Sequence, residues 1–223
     1  MTFPLSPLWL SLQCAFLAAL LNVPWGIGWG WILSRKNFKG RTLIQILLYT
    51  PLVLPPVLTG YFLLILLSPH AFLGRWLVET WHIRFVLDWK GAVVAAFVVA
   101  SPFMIQLVKE AMDLVDPRLE MAARTLGASA GKVFWTITLP LAWRGVVAGF
   151  FLCLARSVGE FGATIILAGN IPGKTQTIPL AIYNQVLLGQ EEQLLPLVVA
   201  ALLFAYLGLG LSHALNRIGP SPS

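Results

Sequence analysis

The sequence predicts an all-α integral membrane protein with about five transmembrane helices. Three observations carry that expectation: apolar runs long enough to cross a bilayer, a scarcity of charge, and basic residues gathered in short connections. Of the 223 residues, 58% are hydrophobic and 11% charged, where a typical soluble domain has about 25% charged. So few charges cannot cover a water-facing surface. Nine tryptophans fit the same picture, because the indole ring favours the membrane–water boundary.

A helix across the hydrocarbon core needs roughly 20 mostly apolar residues. Five segments qualify, at about 8–33, 43–68, 91–115, 145–168 and 194–215. No Lys or Arg precedes the first, which is also too long for a signal-peptide core, so a retained helix is expected there. The length suits one transmembrane domain over 1–223, with no room for an attached nucleotide-binding domain. Cys14 and Cys153 lie in apolar runs and read as buried thiols.

Charge sets the expected orientation. Arg35, Lys36, Lys39 and Arg41 fall between the first two spans; Lys109, Arg118, Arg124, Lys132 and Arg144 surround the third connection; Arg217 follows the last span. The other side holds Arg75, Arg84, Lys90 and Lys174. The richer side belongs in the cytoplasm, which leaves the N-terminus outside and the C-terminus inside. The basic residues form no stripe with stacking aromatics, so nucleic acid is not an expected partner.

One stretch suggests nucleotide chemistry. AGNIPGKT, from Ala168 to Thr175, fits a relaxed phosphate-loop pattern. A working phosphate loop follows a buried strand and opens a helix. This one follows a predicted span on the outer side, and Pro172 removes an N–H that a phosphate cradle would use. ATP hydrolysis is therefore expected in another subunit.

The connection at about 116–140 reads DPRLEMAARTLGASAGKVFWTITLP. Asp116-Pro117 is a helix start, an acidic cap followed by proline at the first helical position. Residues 120–126 favour a helix, and Gly127 permits a sharp turn. The small side chains would let another protein approach closely. By physics alone, a solvated connector resting on the membrane fits as well.

Ala122-Ala123, then Gly127, then Ile137-Thr138-Leu139-Pro140 resembles the EAA loop of ABC importer permeases. Met121 occupies the strict glutamate place and Glu120 stands one residue earlier. A narrower resemblance, to the permeases of molybdate ABC transporters, is carried by PLVLPPVLTGY (51–61), EMAARTLGAS (120–129), ARSVGEFGAT (155–164) and GNIPGKTQTIPLAIY (169–183). It implies a type I importer permease fold in a bacterial or archaeal inner membrane. It also implies a second copy of the chain, a cytoplasmic ATPase dimer and an external oxyanion-binding protein as partners, with lipid around the spans. The cargo it implies is a tetrahedral oxyanion, with molybdate ahead of tungstate and of sulfate or thiosulfate. Glu120, Ala122, Ala123, Gly127, Ile137, Leu139 and Pro140 would then couple the permease to its ATPase.

Within the fourth predicted span, Arg156 and Glu160 stand one helical turn apart. Charges near the bilayer centre cost on the order of 2.5–3.5 kcal/mol each on insertion scales, so they must be paired, hydrated or lining a cavity. They are read either as facing an anion pathway or as an intrahelical pair that fixes packing. Thr164 is a further pathway candidate, or bonds back to its own helix. Pro51, Pro55 and Pro56 break the second span, and Pro102 interrupts the third. His70, His82 and His213 have no metal-ligand spacing. No catalytic set and no cofactor site is legible, which weighs against an embedded enzyme, while a channel would need no docking loop.

If the GKT stretch is not a nucleotide site, the isolated protein should hydrolyse no ATP. Lys174→Ala should then leave ATP turnover in an assembled transporter largely intact, as a phosphate-release assay would read directly.

Overall fold

A computed structural model describes residues 5–189 and 194–217, and among these every regular element is helical. Four helices are long and apolar enough to cross a membrane: α1 (Leu5–Arg35), α5 (Trp89–Asp113), the rod formed by α7 (Ala130–Val133) and α8 (Leu139–Val158) with the turn between them, and α11 (Leu194–Arg217). A fifth crossing is made only if α2 (Arg41–Val53) and α3 (Pro56–Leu67) count together. The shorter elements are α4 (Phe72–Trp81), α6 (Pro117–Thr125), α9 (Gly162–Leu167) and α10 (Ile178–Leu187).

Helix α5 is the axis of the bundle, with α1, α8 and α9 packed around it. Its buried face alternates small and medium side chains, from Ala92 through Ala100 to Met104 and Val108. In lipid the hydrophobic effect does not pull helices together, so close van der Waals packing must. Met104 shows how this is achieved: it is fully buried, and a side chain at Gly26 of α1 or Gly149 of α8 would collide with it. Polar bonds supplement the packing. Asn22 Nδ2 donates to the carbonyls of Ala18 (3.0 Å) and Phe97 (3.1 Å), tying α1 to α5.

Two expected spans are corrected by the structure. The segment at 43–68 is not one helix, because α2 and α3 meet at 115°. A residue before proline is pushed out of the helical region. Leu54 precedes Pro55, and Pro55 precedes Pro56, so both adopt extended torsions (ψ 139 and 131). The segment at 145–168 is also differently cut. Its helix begins at Ala130 and ends at Val158, and the chain starts again as α9 only at Gly162. Arg144 accordingly lies within α8, not in the connection before it.

The two breaks lie against each other. A side chain at Gly60 of α3 would fall 2.7 Å from the Ala163 Cα of α9, and one at Gly162 would fall 3.0 Å from the Pro56 Cβ. Pro102 makes no break in α5. It leaves the Val98 carbonyl without its usual amide donor, and the Ser101 hydroxyl donates to that carbonyl at 3.0 Å.

Many large apolar side chains face outward, among them Leu43, Ile46 and Leu47 on α2 and Leu203, Tyr206 and Leu207 on α11. Such a surface suits hydrocarbon or another apolar partner. The contact between the broken helices makes a clear prediction. Gly60→Val should cost about 1–3 kcal/mol of overpacking and lower the yield of folded protein in detergent. Gly28→Ala, with open space around it, should be neutral or mildly stabilising by thermal unfolding.

Candidate functional site

Three features group the candidate residues: the loop around α6, the junction between α8 and α9, and the loop after α9. The first and third lie at opposite ends of α5. At 1.5 Å per residue, its 25 residues span about 37 Å.

Helix α6 starts as its sequence suggests, with the Asp116 carboxylate accepting from the Arg118 amide at 2.9 Å. It ends in a Schellman motif, in which the Gly127 amide bonds Arg124 O (3.0 Å) and the Ala128 amide bonds Ala123 O (3.0 Å). Gly127 takes φ +86, a conformation that costs other residues roughly 1–2 kcal/mol. Ser129 then caps the following helix through the Lys132 amide at 3.3 Å. The chain therefore reverses at Gly127 and starts again as helix at Ala130, well ahead of the span expected from about 145.

Ile137, Leu139 and Pro140 fall where the rod changes pitch. Pro140 has no amide to donate, and its ring crowds the carbonyl four residues before it. The turn at Phe134–Thr138 widens, and the Leu139 amide bonds Phe134 O, five residues back. Leu139 packs into the core around Met104 and Met112, Ile137 is half-buried, and Pro140 is exposed.

Glu120 points inward, at 9% exposure the one buried residue of α6. Its Oε1 accepts from Arg35 Nε (3.0 Å) and from the Thr138 hydroxyl (2.7 Å), with Arg35 Nη2 also 3.0 Å away. Arg35 Nη2 donates in addition to the Val115 carbonyl at 3.1 Å. Beside this cluster, Asp113 bonds Ser34 Oγ and Lys109 Nζ, each at 2.6 Å. Outward, α6 and its flanks present Leu114, Leu119, Met121, Ala122 and Leu126, the last 89% exposed. Ala123 is half-buried.

At the other candidate site, Arg156 Nη2 and Glu160 Oε2 are 2.9 Å apart, with Glu160 almost fully buried and the Arg156 side chain 30% exposed. Contrary to the expectation of one continuous span, they do not share a helix, because α8 ends at Val158. Glu160 Oε1 accepts from the Ala163 amide at 2.9 Å. The carboxylate thus joins the last turn of α8 to the first turn of α9, whose positive dipole end it faces. Thr164 is buried at 2% exposure. Among the described residues three buried hydroxyls have no hydrogen-bond partner, Thr59 Oγ1 on α3, Ser157 Oγ on α8 and Thr177 Oγ1 before α10.

The GKT loop is folded for another purpose than holding phosphate. The amides of Lys174, Thr175 and Gln176 all point to the Ile171 carbonyl, at 3.0, 2.9 and 3.1 Å. The buried Thr175 hydroxyl accepts from the Ile171 amide and donates to Gly169 O. Lys174 Nζ lies 4.0 Å from Asp88, the cap of α5. Four of the loop's amides, those of Ile171, Lys174, Thr175 and Gln176, are thus used inside the turn. The Ile178 amide, at the start of α10, is bound by Ser11 Oγ of α1 at 2.7 Å.

Sequence reasoning did not single out Arg35 or Thr138. Four cations share the connection at 35–41, and no pattern distinguishes the one that reaches Glu120. Thr138 occupies the unspecified place between Ile137 and Leu139. The available signal is physical: a carboxylate turned inward needs a cation and a hydroxyl near it.

Comparison with known proteins places this geometry. The profile of the family described as binding-protein-dependent transport system inner membrane component matches residues 22–218. The molybdenum transport system permease protein ModB of Haemophilus influenzae is 46% identical over 209 residues, covering 93% of this chain and 91% of that protein. The sulfate transport system permease protein CysW of Synechocystis is 32% identical over 212 residues, covering 95% of this chain and 76% of that one. Among solved structures, a bacterial alginate ABC transporter in complex with its pentasaccharide-bound periplasmic protein superimposes with a TM-score of 0.72. That match has 18% identity and covers 98% of this chain and 78% of the other.

The Arg156–Glu160 pair yields a test of its own. Breaking a buried pair costs about 3–5 kcal/mol, so Arg156→Leu and Glu160→Leu should each reduce folded protein. Glu160→Gln should be milder, because an amide oxygen still accepts from Ala163. The double leucine variant should recover much of the loss. Anion uptake then separates the two roles: poor uptake by a well-folded double variant marks a pathway residue, and full uptake leaves only the structural pair.

Proposed function

The chain belongs to the family of binding-protein-dependent transport system inner membrane components, and from that membership we propose that it is the permease subunit of an ATP-driven importer for molybdate. The observation that carries the cargo is the likeness to a molybdenum permease at 46% identity over nearly the whole of both chains. The 32% likeness to a sulfate permease supports a related tetrahedral oxyanion as the alternative cargo. The protein is a transport subunit, not an enzyme.

In this reading the end of the bundle bearing α6 faces the cytoplasm, and the end bearing the 169–177 loop faces outward. The clustering of basic residues near α6 supports that orientation. The whole chain acts as one transmembrane domain, pairs with a second copy of itself, and is surrounded by lipid elsewhere. An external binding protein delivers the anion. A separate ATPase dimer docks on α6, whose apolar outward residues would otherwise stand in water. Ala122 and Ala123 permit its close approach, and Gly127 with Ile137, Leu139 and Pro140 sets the angle at which α6 is held.

Arg156 favours entry of a dianion near the point where two helices break, while Glu160 orients it and Thr164 lies alongside. Broken helices at membrane depth are tolerated where protein or a watery path satisfies the backbone. The attraction would be electrostatic, with oxyanion geometry matched by the guanidinium fork.

The deciding experiment is uptake into proteoliposomes holding the permease, its ATPase and its binding protein, with labelled molybdate and with tungstate or sulfate as competitors. ATP-dependent molybdate uptake that sulfate fails to compete away supports the reading, and sulfate uptake in its place selects the alternative. Gly127→Trp in the same system should abolish uptake, because it violates the torsion of the turn (φ +86) and sets a bulky ring on the docking face, whereas Met121→Ala should be mild. Normal ATPase recovery and normal uptake with Gly127→Trp would refute docking at α6.

A further inference from the structure

We propose that Arg35 is a positioning residue of the transport cycle, holding α6 to the ends of α1 and of the α7–α8 rod so that displacement of α6 passes into the spanning bundle. The inference rests on the reading of the chain as an ATP-driven permease. Its starting point is that α6 buries a single residue, and that residue is a carboxylate. On a short helix with an exposed outer face, a glutamate would ordinarily turn to water. Glu120 instead faces the bundle and places one oxygen within 3.0 Å of Arg35 Nε, Arg35 Nη2 and the Thr138 hydroxyl.

Three separate segments converge on that oxygen: the C-terminus of α1, α6 itself, and the widened turn of the rod. Arg35 adds a fourth by donating to Val115 O, where the chain leaves α5, and Ser34 Oγ accepts from its Nη1 at 3.2 Å. An apolar contact would suffice to keep α6 near the bundle, but it would let the helix slide. A planar guanidinium with donors in a fixed fork holds both distance and direction, and charge-assisted bonds of this kind are about twice as strong as neutral ones. The neighbouring Asp113, bound to Ser34 and Lys109, keeps the ends of α1 and α5 together beneath the clamp. Pushing α6 therefore moves α1 and the rod with it.

The test measures anion delivered per ATP hydrolysed by the complete importer in proteoliposomes. A residue needed only for folding would lower both quantities together, in proportion to the complex recovered. For Arg35→Leu we expect ATPase bound at the normal ratio and ATP still hydrolysed, with anion per ATP reduced about tenfold by loss of the charged fork. Arg35→Lys should lose severalfold, since a point charge replaces the fork, and Thr138→Val should lose about two- to threefold through one missing hydrogen bond. A normal ratio in Arg35→Leu, or parallel losses of uptake and hydrolysis, would overturn the proposal. If Arg35→Leu yields no complex, the ratios in Arg35→Lys and Thr138→Val decide, and normal values in both overturn it. A wild-type complex without ATP-dependent uptake would overturn the functional reading, and this inference with it.

Discussion

Backbone amides and carbonyls that lie away from water must find partners within the protein, and most of the irregular features of this bundle answer to that constraint. Pro102 would leave Val98 O unbonded, and Ser101 supplies the missing donor. Pro140 prevents ordinary pitch, and the Leu139 amide reaches one residue further back. Where α8 stops, the Glu160 carboxylate takes the Ala163 amide of the next helix. The break between α2 and α3 sits against the break between α8 and α9, with Gly162 close to Pro56 and Val57. The bundle is regular wherever it can be and repaired wherever it cannot.

The same constraint explains which parts of the fold were legible in advance. Length and hydropathy located α1, α5 and α11 closely, because an unbroken apolar helix leaves a long unbroken signal. They failed at α2–α3 and α8–α9, where apolar composition continues through a change of direction. Pro55 and Pro56 marked the first break in the sequence, although not its angle of 115°. Gly159 and Gly162 stand beside the second, but a glycine in an otherwise apolar span is as compatible with close packing as with a helix end. The early start of the rod was hidden by ASAGK, a small and polar run that reads as a loop. Ser129 capping at Lys132 turns it into a helix start.

Candidate residues divide in the same way. Gly127 could be read from its place in a motif, and its positive φ gives a local reason for that residue type. Cost alone required that Arg156 and Glu160 be compensated, but left open whether by pairing, by water or by a cavity; the structure pairs them across the end of α8. What the sequence did not contain was direction. Glu120 and Met121 are adjacent, yet one faces the bundle and the other faces out, and that difference depends on the rotation of α6 against α1. The GKT run shows the opposite failure. Its letters match a nucleotide loop, but its amides converge on the protein's own Ile171 carbonyl.

Continuity of the helix from Ala130 to Val158 has a mechanical consequence. Its 29 residues amount to about 44 Å, whereas the hydrocarbon core is about 30 Å thick. The rod must tilt or project, and the end that carries Thr138 and follows the Gly127 turn is one end of it. A rigid shaft anchored against α5 by Gly145 and Gly149 behaves as a lever with its fulcrum inside the membrane. Rotating such a shaft by about 10° about Gly149 would carry its Ala130 end, about 28 Å away, through about 5 Å, given the rise per residue. Small angular changes among the packed helices and large excursions at the membrane surface are then the two arms of one rigid body.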